Sequence, residues 1–545
     1  MFKRRLEAIA AVTVLVLLGL TIKPSPRTQA DSLDTPPTQE KKVQATTTAR
    51  VLQRQKQLRQ IRPENYDLER FPVTANHEDH WRHLLWTTAV VEPREAFVAA
   101  ALNQILTLTT RPGLSTAAVK TVDQAMKVGT QLYLSDPNFY GSIGQRLVET
   151  IEQSPDPEWV AVALSGLAKG RFAATELLRL STSVKARFPG WTTNVYLQTT
   201  MQEIADSTNA QNPPPLKDLL EWEIAPQQLH LYVLCRPDRR VLCRAVLKDR
   251  DGKFVQQGDG LWSVPLLLES IHGLGWNFTR GQTPQGIYRI EGVVPQPDDE
   301  FFRAYGQFPL VNLYVPFEAG AKAFLPQQPG PFTGSLADYT GLLPLAWRNY
   351  RPMQQSFWAG RAGRGLFRIH GSGEAVDFFR GKDRTVPESY NWNPTIGCLS
   401  ARELYNEKGQ LIHADMPKIL QALKIVGGRN FAGYLVVVDV PATEPAPISL
   451  KTIEAAIGTS SRRVSRARRK GPTAKMQQVV WRRSRSVPQK TSVLQQSVES
   501  SRKVQSQVAT LSAHLARLGQ LGRGPTNTQR IKPVVAELEP LPIAY

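Results

Sequence analysis

The stretch from Leu366 to Ser400 reads LFRIHGSGEAVDFF, then a polar loop, then YNWNPTIGCLS. An apolar run ends in one histidine, His370, followed by Gly371, and beyond the loop Gly397 precedes one cysteine, Cys398. A thiol needs a base to become a nucleophile, and a glycine beside it lets a substrate carbonyl approach the backbone. The stretch has the makings of a cysteine acyl-transfer site, with His370 as base and backbone N–H groups around Ile396, Gly397 and Cys398 receiving the developing oxyanion. His272 is the rival base because it too precedes a glycine, in SIHGLG, whereas His230 reads as a strand position and His413 as a surface turn.

Outward from this stretch, residues 228–440 run in short β-rich segments: LHLYVLC, RVLCRAVL, WSVPLLLESI, GIYRIEGVV, LVNLYVPF, GLFRIHG and YLVVVDV. Turn signals such as Asp251-Gly252 and Gly281-Gln282 separate several of them. MPKILQALKIVGG, after the cysteine, is the one segment here with helical spacing. The interval from Pro295 to Met353 is rich in Pro and Gly and long for plain loops, so extra strands or a lid are expected within it. A mostly β domain over 225–442 follows.

Upstream, residues 51–208 carry apolar residues at three- and four-residue spacing, as in EAFVAAALNQILTL and EWVAVALSGLAKG, which predicts an all-α domain. One helix start is well marked: Asp156 can cap, Pro157 suits the first helical position and Glu158 favours the positive end of the dipole. NAQNPPP breaks the pattern and opens a linker over 209–224. His77, His80 and His83 in HEDHWRH lack the four-residue spacing of a zinc-protease helix and have no further ligand nearby, so they read as surface or capping residues and no metal is expected.

The two ends differ from the body. At 545 residues the chain exceeds what one core organises. The segment from Pro441 to Tyr545 holds 18 Lys and Arg against 5 Asp and Glu, so +13 of the net +20 belongs to a tail. This tail, 443–545, includes the solvated run RRVSRARRK and an amphipathic helix at about 491–518. The helix seam, Leu494, Val504, Val508, Leu511, Leu515 and Leu518, suits self-association or docking on another domain. Residues 1–30 read as a signal peptide or membrane anchor, with Lys3, Arg4 and Arg5 before an apolar run over 8–22, and 31–50 as a flexible spacer. Export leads to an oxidising compartment. Cys235 and Cys243 flank RPDRR, read as the turn of a hairpin, and read either as a disulfide or as two buried apolar-like cysteines, leaving Cys398 over.

Ile369-His370-Gly371 followed by Thr395-Ile396-Gly397-Cys398-Leu399-Ser400 resembles the catalytic signature of the L,D-transpeptidases with the YkuD-type domain. Upstream, GQTPQGIY (281–288) resembles that family's turn before the active-site strands, and the helix around 416–425 and the strand YLVVVDV match its closing elements in order. The resemblance covers about 225–442. It implies a multidomain exported enzyme of the periplasm or cell envelope, anchored or released, whose mostly β catalytic domain needs no cofactor. By that resemblance Cys398 attacks the carbonyl of the diamino acid at position three of a peptidoglycan stem peptide, expels the terminal D-alanine, and passes the acyl group to a neighbouring stem. His370 takes the thiol proton, and Gly371, Thr395, Ile396 and Gly397 shape the substrate and oxyanion side. Many members carry His where Ile396 stands, and Arg or Asn where Ser400 stands, with Arg402 the replacement two residues on. The loop after His370 is long and carries Glu374, Asp377 and Glu388. The alternatives are an L,D-carboxypeptidase-type hydrolase on the same stems and a non-catalytic wall-binding scaffold whose basic tail binds anionic envelope polymers or a membrane surface. The export segment argues against nucleic acid as partner.

Overall fold

Within the helical half, the residues that read as apolar stripes bury nearly completely. The computed structural model describes residues 46–170, 172–208, 211–295, 306–372, 392–441 and 446–467. The expected export segment, the loop carboxylates Glu374, Asp377 and Glu388, and the amphipathic tail helix at 491–518 lie outside the described residues, among which no helix is long and apolar enough to cross a membrane. Among the described residues eight α-helices come first: α1 (Thr47–Leu58), α2 (Glu78–Val91), α3 (Ala96–Leu106), α4 (Thr116–Ser135), α5 (Gly141–Gln153), α6 (Pro157–Lys169), α7 (Ala174–Arg187) and α8 (Val195–Thr208). Ser115 caps α4 through the Ala118 N–H, and Asp156 caps α6 through the N–H groups of Glu158 and Trp159, at 2.8 and 3.2 Å. α4 and α6 cross at the centre, where a side chain on Gly166 would stand 2.7 Å from Thr130 Cγ2, so glycine sets how closely they approach. The three histidines go separate ways: His80 stacks on Phe71 and bonds the Asn65 carbonyl, His77 bonds the Pro72 carbonyl, and His83 that of Asp79.

The helical core does not stop at the linker. Leu274 and Phe278, from the β half, are buried in it. Asn277 Nδ2 donates to the hydroxyls of Thr199 and Thr200 at 2.9 and 3.0 Å, and Tyr196 donates to the Ala362 carbonyl. The expected linker itself contains a short helix, α9 (Leu216–Glu221), with Leu219 and Leu220 buried.

Among the described residues eleven strands follow: β1 (Leu229–Cys235), β2 (Cys243–Lys248), β3 (Gln256–Gln257), β4 (Gly260–Leu261), β5 (Ser263–Leu266), β6 (Gly286–Val294), β7 (Leu310–Tyr314), β8 (Arg368–Ser372), β9 (Leu399–Tyr405), β10 (Leu411–Ala414) and β11 (Ala432–Asp439). β3 and β4 form a small ribbon, and the other nine make one sheet in the order β10-β9-β8-β7-β6-β11-β1-β2-β5. β1 with β11 and β8 with β9 are parallel, and the remaining pairs are antiparallel. Side chains alternate between two cores. Leu231, Val233, Ile369 and Leu399 face inward with α12 (Met416–Gly427), while Tyr232, Leu234, Val436 and Val438 face an outer core. The sheet curls so far that Leu267, just past β5 at one end, exchanges two 2.9 Å hydrogen bonds with Ser400 on β9 near the other. Cys235 and Cys243 form a disulfide beside the β1–β2 ladder.

Several expectations change. Helices are more numerous than the one expected in this half: α10 (Leu336–Gly341) and α11 (Gln355–Arg361) lie in or beside the Pro- and Gly-rich interval and pack Tyr339 and Phe357 into the outer core. They are too short for periodicity to reveal. Past 442, α13 (Leu450–Ala467) follows, with Ile453 and the preceding Ile448 buried in that core, so the folded region extends beyond the expected boundary and the helix enters the basic run at Arg462. β9 and β10 were not legible because LSARELY carries Arg402 and Glu403. Glu403 is nonetheless enclosed, accepting from the Gln307 N–H and the Tyr405 hydroxyl. His413 therefore lies on a strand, bonded to Asp415 and Arg402, and not in a turn.

His230 is fully buried on β1, and its Nε2 accepts the Ile224 N–H at 3.1 Å. Burial, then the charge of Lys248, lowers its pKa to about 4. The unfolded chain takes up a proton near pH 6.5 that the folded state refuses, so this contribution is complete above that pH and lost as pH falls toward 4. The loss is on the order of 3 kcal/mol. Urea unfolding at pH 7 and pH 4.5 is expected to show a smaller stability drop for His230→Gln than for the wild type, and equal drops would refute the assignment.

Candidate active site

β8 and β9 lie side by side and parallel, with Ile369 opposite Leu399 and His370 opposite Ser400. Because Ile369 and Leu399 face the inner core, Arg368, His370 and Ser400 belong to the other face, as does Cys398 one residue before β9. The ladder thus places the thiol and the imidazole on one face of two adjacent strands. Both side chains are half-buried.

The turn that carries the cysteine is fixed from two sides. Thr395 Oγ1 donates to the Cys398 carbonyl at 2.8 Å and accepts the Gly397 N–H at 3.2 Å. Thr283, from the GQTPQG turn, donates to the Gly397 carbonyl at 2.9 Å. Gly397 has φ +122°, and a side chain there would stand 2.6 Å from Arg364 Nη2. Arg364 is itself buried and donates to the carbonyls of Trp276, Gln282 and Gly281. The two stretches singled out in the sequence, 281–286 and 395–398, are therefore bonded neighbours. Of the three amides expected at the oxyanion, that of Gly397 is committed to Thr395.

The approach to β8 is also held. Leu366 takes φ +62°, unusual for a side chain of its size, and its N–H donates to Glu318 Oε1 at 2.7 Å. Its carbonyl faces the Cys398 thiol, sulfur to oxygen 3.8 Å. His370 Nδ1 lies 2.8 Å from the Gly371 carbonyl, which can only accept, so Nδ1 carries the proton and Nε2 the lone pair in the neutral ring. Gly371 has no room for a side chain because Glu403 Oε2 occupies the space.

Burial raises the Cys398 pKa above its ordinary value, opposed by the Arg368 charge, the Arg368 backbone N–H and the Arg364 charge. Burial lowers that of His370, opposed by its bond to Gly371. Both shifts favour the neutral thiol and the neutral imidazole.

The remaining expected residues are dispersed. Ile396 is half-buried, and Ser400 is enclosed with its hydroxyl unbonded. Arg402 stands four residues beyond Cys398, roughly 13 Å along the strand, where it stacks on Trp392 and meets His413. The packing of Arg402 removes it from the thiol. His272 is no rival base: it is fully buried and its Nδ1 bonds Gln131 on α4 at 2.8 Å. Arg364, Arg368, Glu318 and Leu366 escaped sequence reading, since a buried arginine or glutamate looks like a surface one in a string. Thr283 stood in a quoted motif, and Leu366 and Arg368 in the quoted stretch, but none was given a role. Compared with protein-family models, curated proteins and solved structures, the chain matches none.

Two outcomes are expected. Iodoacetamide modification of Cys398 should keep accelerating through pH 9, whereas a plateau between pH 5 and 7 would indicate a preformed thiolate–imidazolium pair. Gly397→Ala should cost about 1–3 kcal/mol in chemical unfolding and slow Cys398 modification, because the new methyl group displaces Arg364.

Proposed function

We propose that the chain is a cysteine-dependent L,D-transpeptidase of the bacterial cell envelope, acting on peptidoglycan stem peptides. The observation that carries this reading is the placement of Cys398 and His370 on one face of adjacent strands, with Nδ1 fixed by Gly371 so that Nε2 is the basic nitrogen. The sequence resemblance supplies the substrate class. The Cys235–Cys243 disulfide is in keeping with an oxidising compartment.

In this mechanism the sulfur attacks the carbonyl of the third stem residue while its proton passes to His370 Nε2. The carbon–sulfur bond forms and the oxyanion takes the electron pair. Collapse breaks the carbon–nitrogen bond, and the departing D-alanine takes the proton from His370. The amine of a second stem then attacks the thioester, gives up a proton to His370, and releases the thiol with a 3–3 cross-link made. No step requires a cofactor.

Incubation with purified muropeptides should yield 3–3 dimers with the wild type and none with Cys398→Ala. Free D-alanine without dimers would favour the hydrolase. Absence of any product, together with failure of a carbapenem to acylate Cys398, would overturn the enzyme reading.

A further inference from the structure

Arg368 has no role in the mechanism above, yet it is the cation most closely associated with the thiol. It lies on β8 two residues before His370 and on the same face, one step before the Ile369–Leu399 pair of the parallel ladder, as Cys398 is on the neighbouring strand. The residue is 7% exposed. A guanidinium so enclosed normally has an anion or a full set of acceptors. Arg239 is paired with Asp439 at 2.9 Å, and Arg364 has three carbonyls. Arg368 has two carbonyls on one nitrogen only: Nη1 donates to Phe367 at 2.6 Å and weakly to Leu313 at 3.4 Å. Its Nε is sealed without a partner, and its Nη2 is neither bonded nor sealed. Glu318, the nearby carboxylate, is occupied by the N–H groups of Val315 and Leu366. Beside Arg368 in the ladder, Asn312 is also buried, with Oδ1 unbonded. The face next to the nucleophile thus holds a positive charge that, among the described residues, has no carboxylate at ion-pair distance, Glu318 acting on it only from farther off.

We propose that Arg368 binds the terminal carboxylate of the residue that the thiol expels. This rests on the acyl-transfer reading of Cys398 and deepens it. In a peptide cleaved at its last bond, that carboxylate lies one Cα beyond the scissile nitrogen, within a side chain's reach of the sulfur. A guanidinium there selects substrates that end in a free acid at the departing residue, through a charge-assisted pair away from bulk water. It sets specificity and takes no part in the proton transfers assigned to His370.

The test compares two donor tetrapeptides, one with a free terminal carboxylate and one amidated only there, by rate of Cys398 thioester formation followed by mass spectrometry. The wild type should favour the free acid in kcat/KM by about thirtyfold or more, the size expected when one partner of a desolvated charge pair is removed. The ratio should fall toward one in Arg368→Met and be intermediate in Arg368→Lys. A third donor, amidated only on the side-chain carboxyl of the diamino acid, should retain the free-acid rate. A wild-type ratio near one, a ratio that survives in Arg368→Met, or a loss confined to the third donor would overturn the proposal, each with thioester still forming. The wild-type comparison stands even if Arg368→Met fails to fold. No thioester from any donor would overturn the acyl-transfer reading and this assignment with it.

Discussion

Arg364 donates to three backbone carbonyls around the 276–282 turn and packs its guanidinium over Phe367. A buried cation is costly unless its donors are satisfied, and these acceptors satisfy it only in one arrangement of the chain. Burial lowers its pKa to about 10, which still leaves it charged at neutral pH. Around it the turn at 281–286, the start of β8 and the Gly397-Cys398 peptide come together, and Gly397 must be glycine because the guanidinium fills the space a side chain would need. The position of Cys398 is thus a consequence of one polar cluster more than of local propensity.

The curled sheet supplies the second constraint. Two hydrogen bonds between Leu267 and Ser400 join the chain beyond β5 to β9, and the same segment bonds Thr395 through Glu269 and Ile271. The cysteine turn is therefore gripped by strands from both ends of the sheet. The segment that follows, Leu274 and Phe278, enters the helical core, while His272 bonds α4. The helical half consequently bears on the cysteine turn through a run of ten or so residues, and a shift in its packing would be felt at Thr395.

Neutral resting partners fit this enclosed setting. Burial disfavours the charged form of both the thiol and the imidazole, while Arg368 and Arg364 favour the thiolate. The positive charge of Arg368 and Arg364 beside the thiol is opposed by the nearby Glu318 carboxylate.

Much of this was readable from the residues. Alternation in LHLYVLC and YLVVVDV, three- and four-residue spacing in the helical half, and the cap at Asp156-Pro157 follow from side-chain direction and backbone hydrogen bonding, which act locally and leave a period in the string. His370 and Cys398 were legible because glycine beside each marks a place where backbone must be approached. Arg364, Glu318 and Arg368 were not, and Arg402 was misplaced, because the burial of a charged side chain depends on partners far away in sequence and has no local signature. The strand LSARELY hid for the same reason, its glutamate being satisfied by Gln307 and Tyr405. The sequence alone determined the chemistry available, a thiol, an imidazole and the elements that carry them. Only the tertiary structure decided their common face, the tautomer of His370 and the unpaired cation beside the thiol, since each depends on register and burial between segments the chain brings together only by folding.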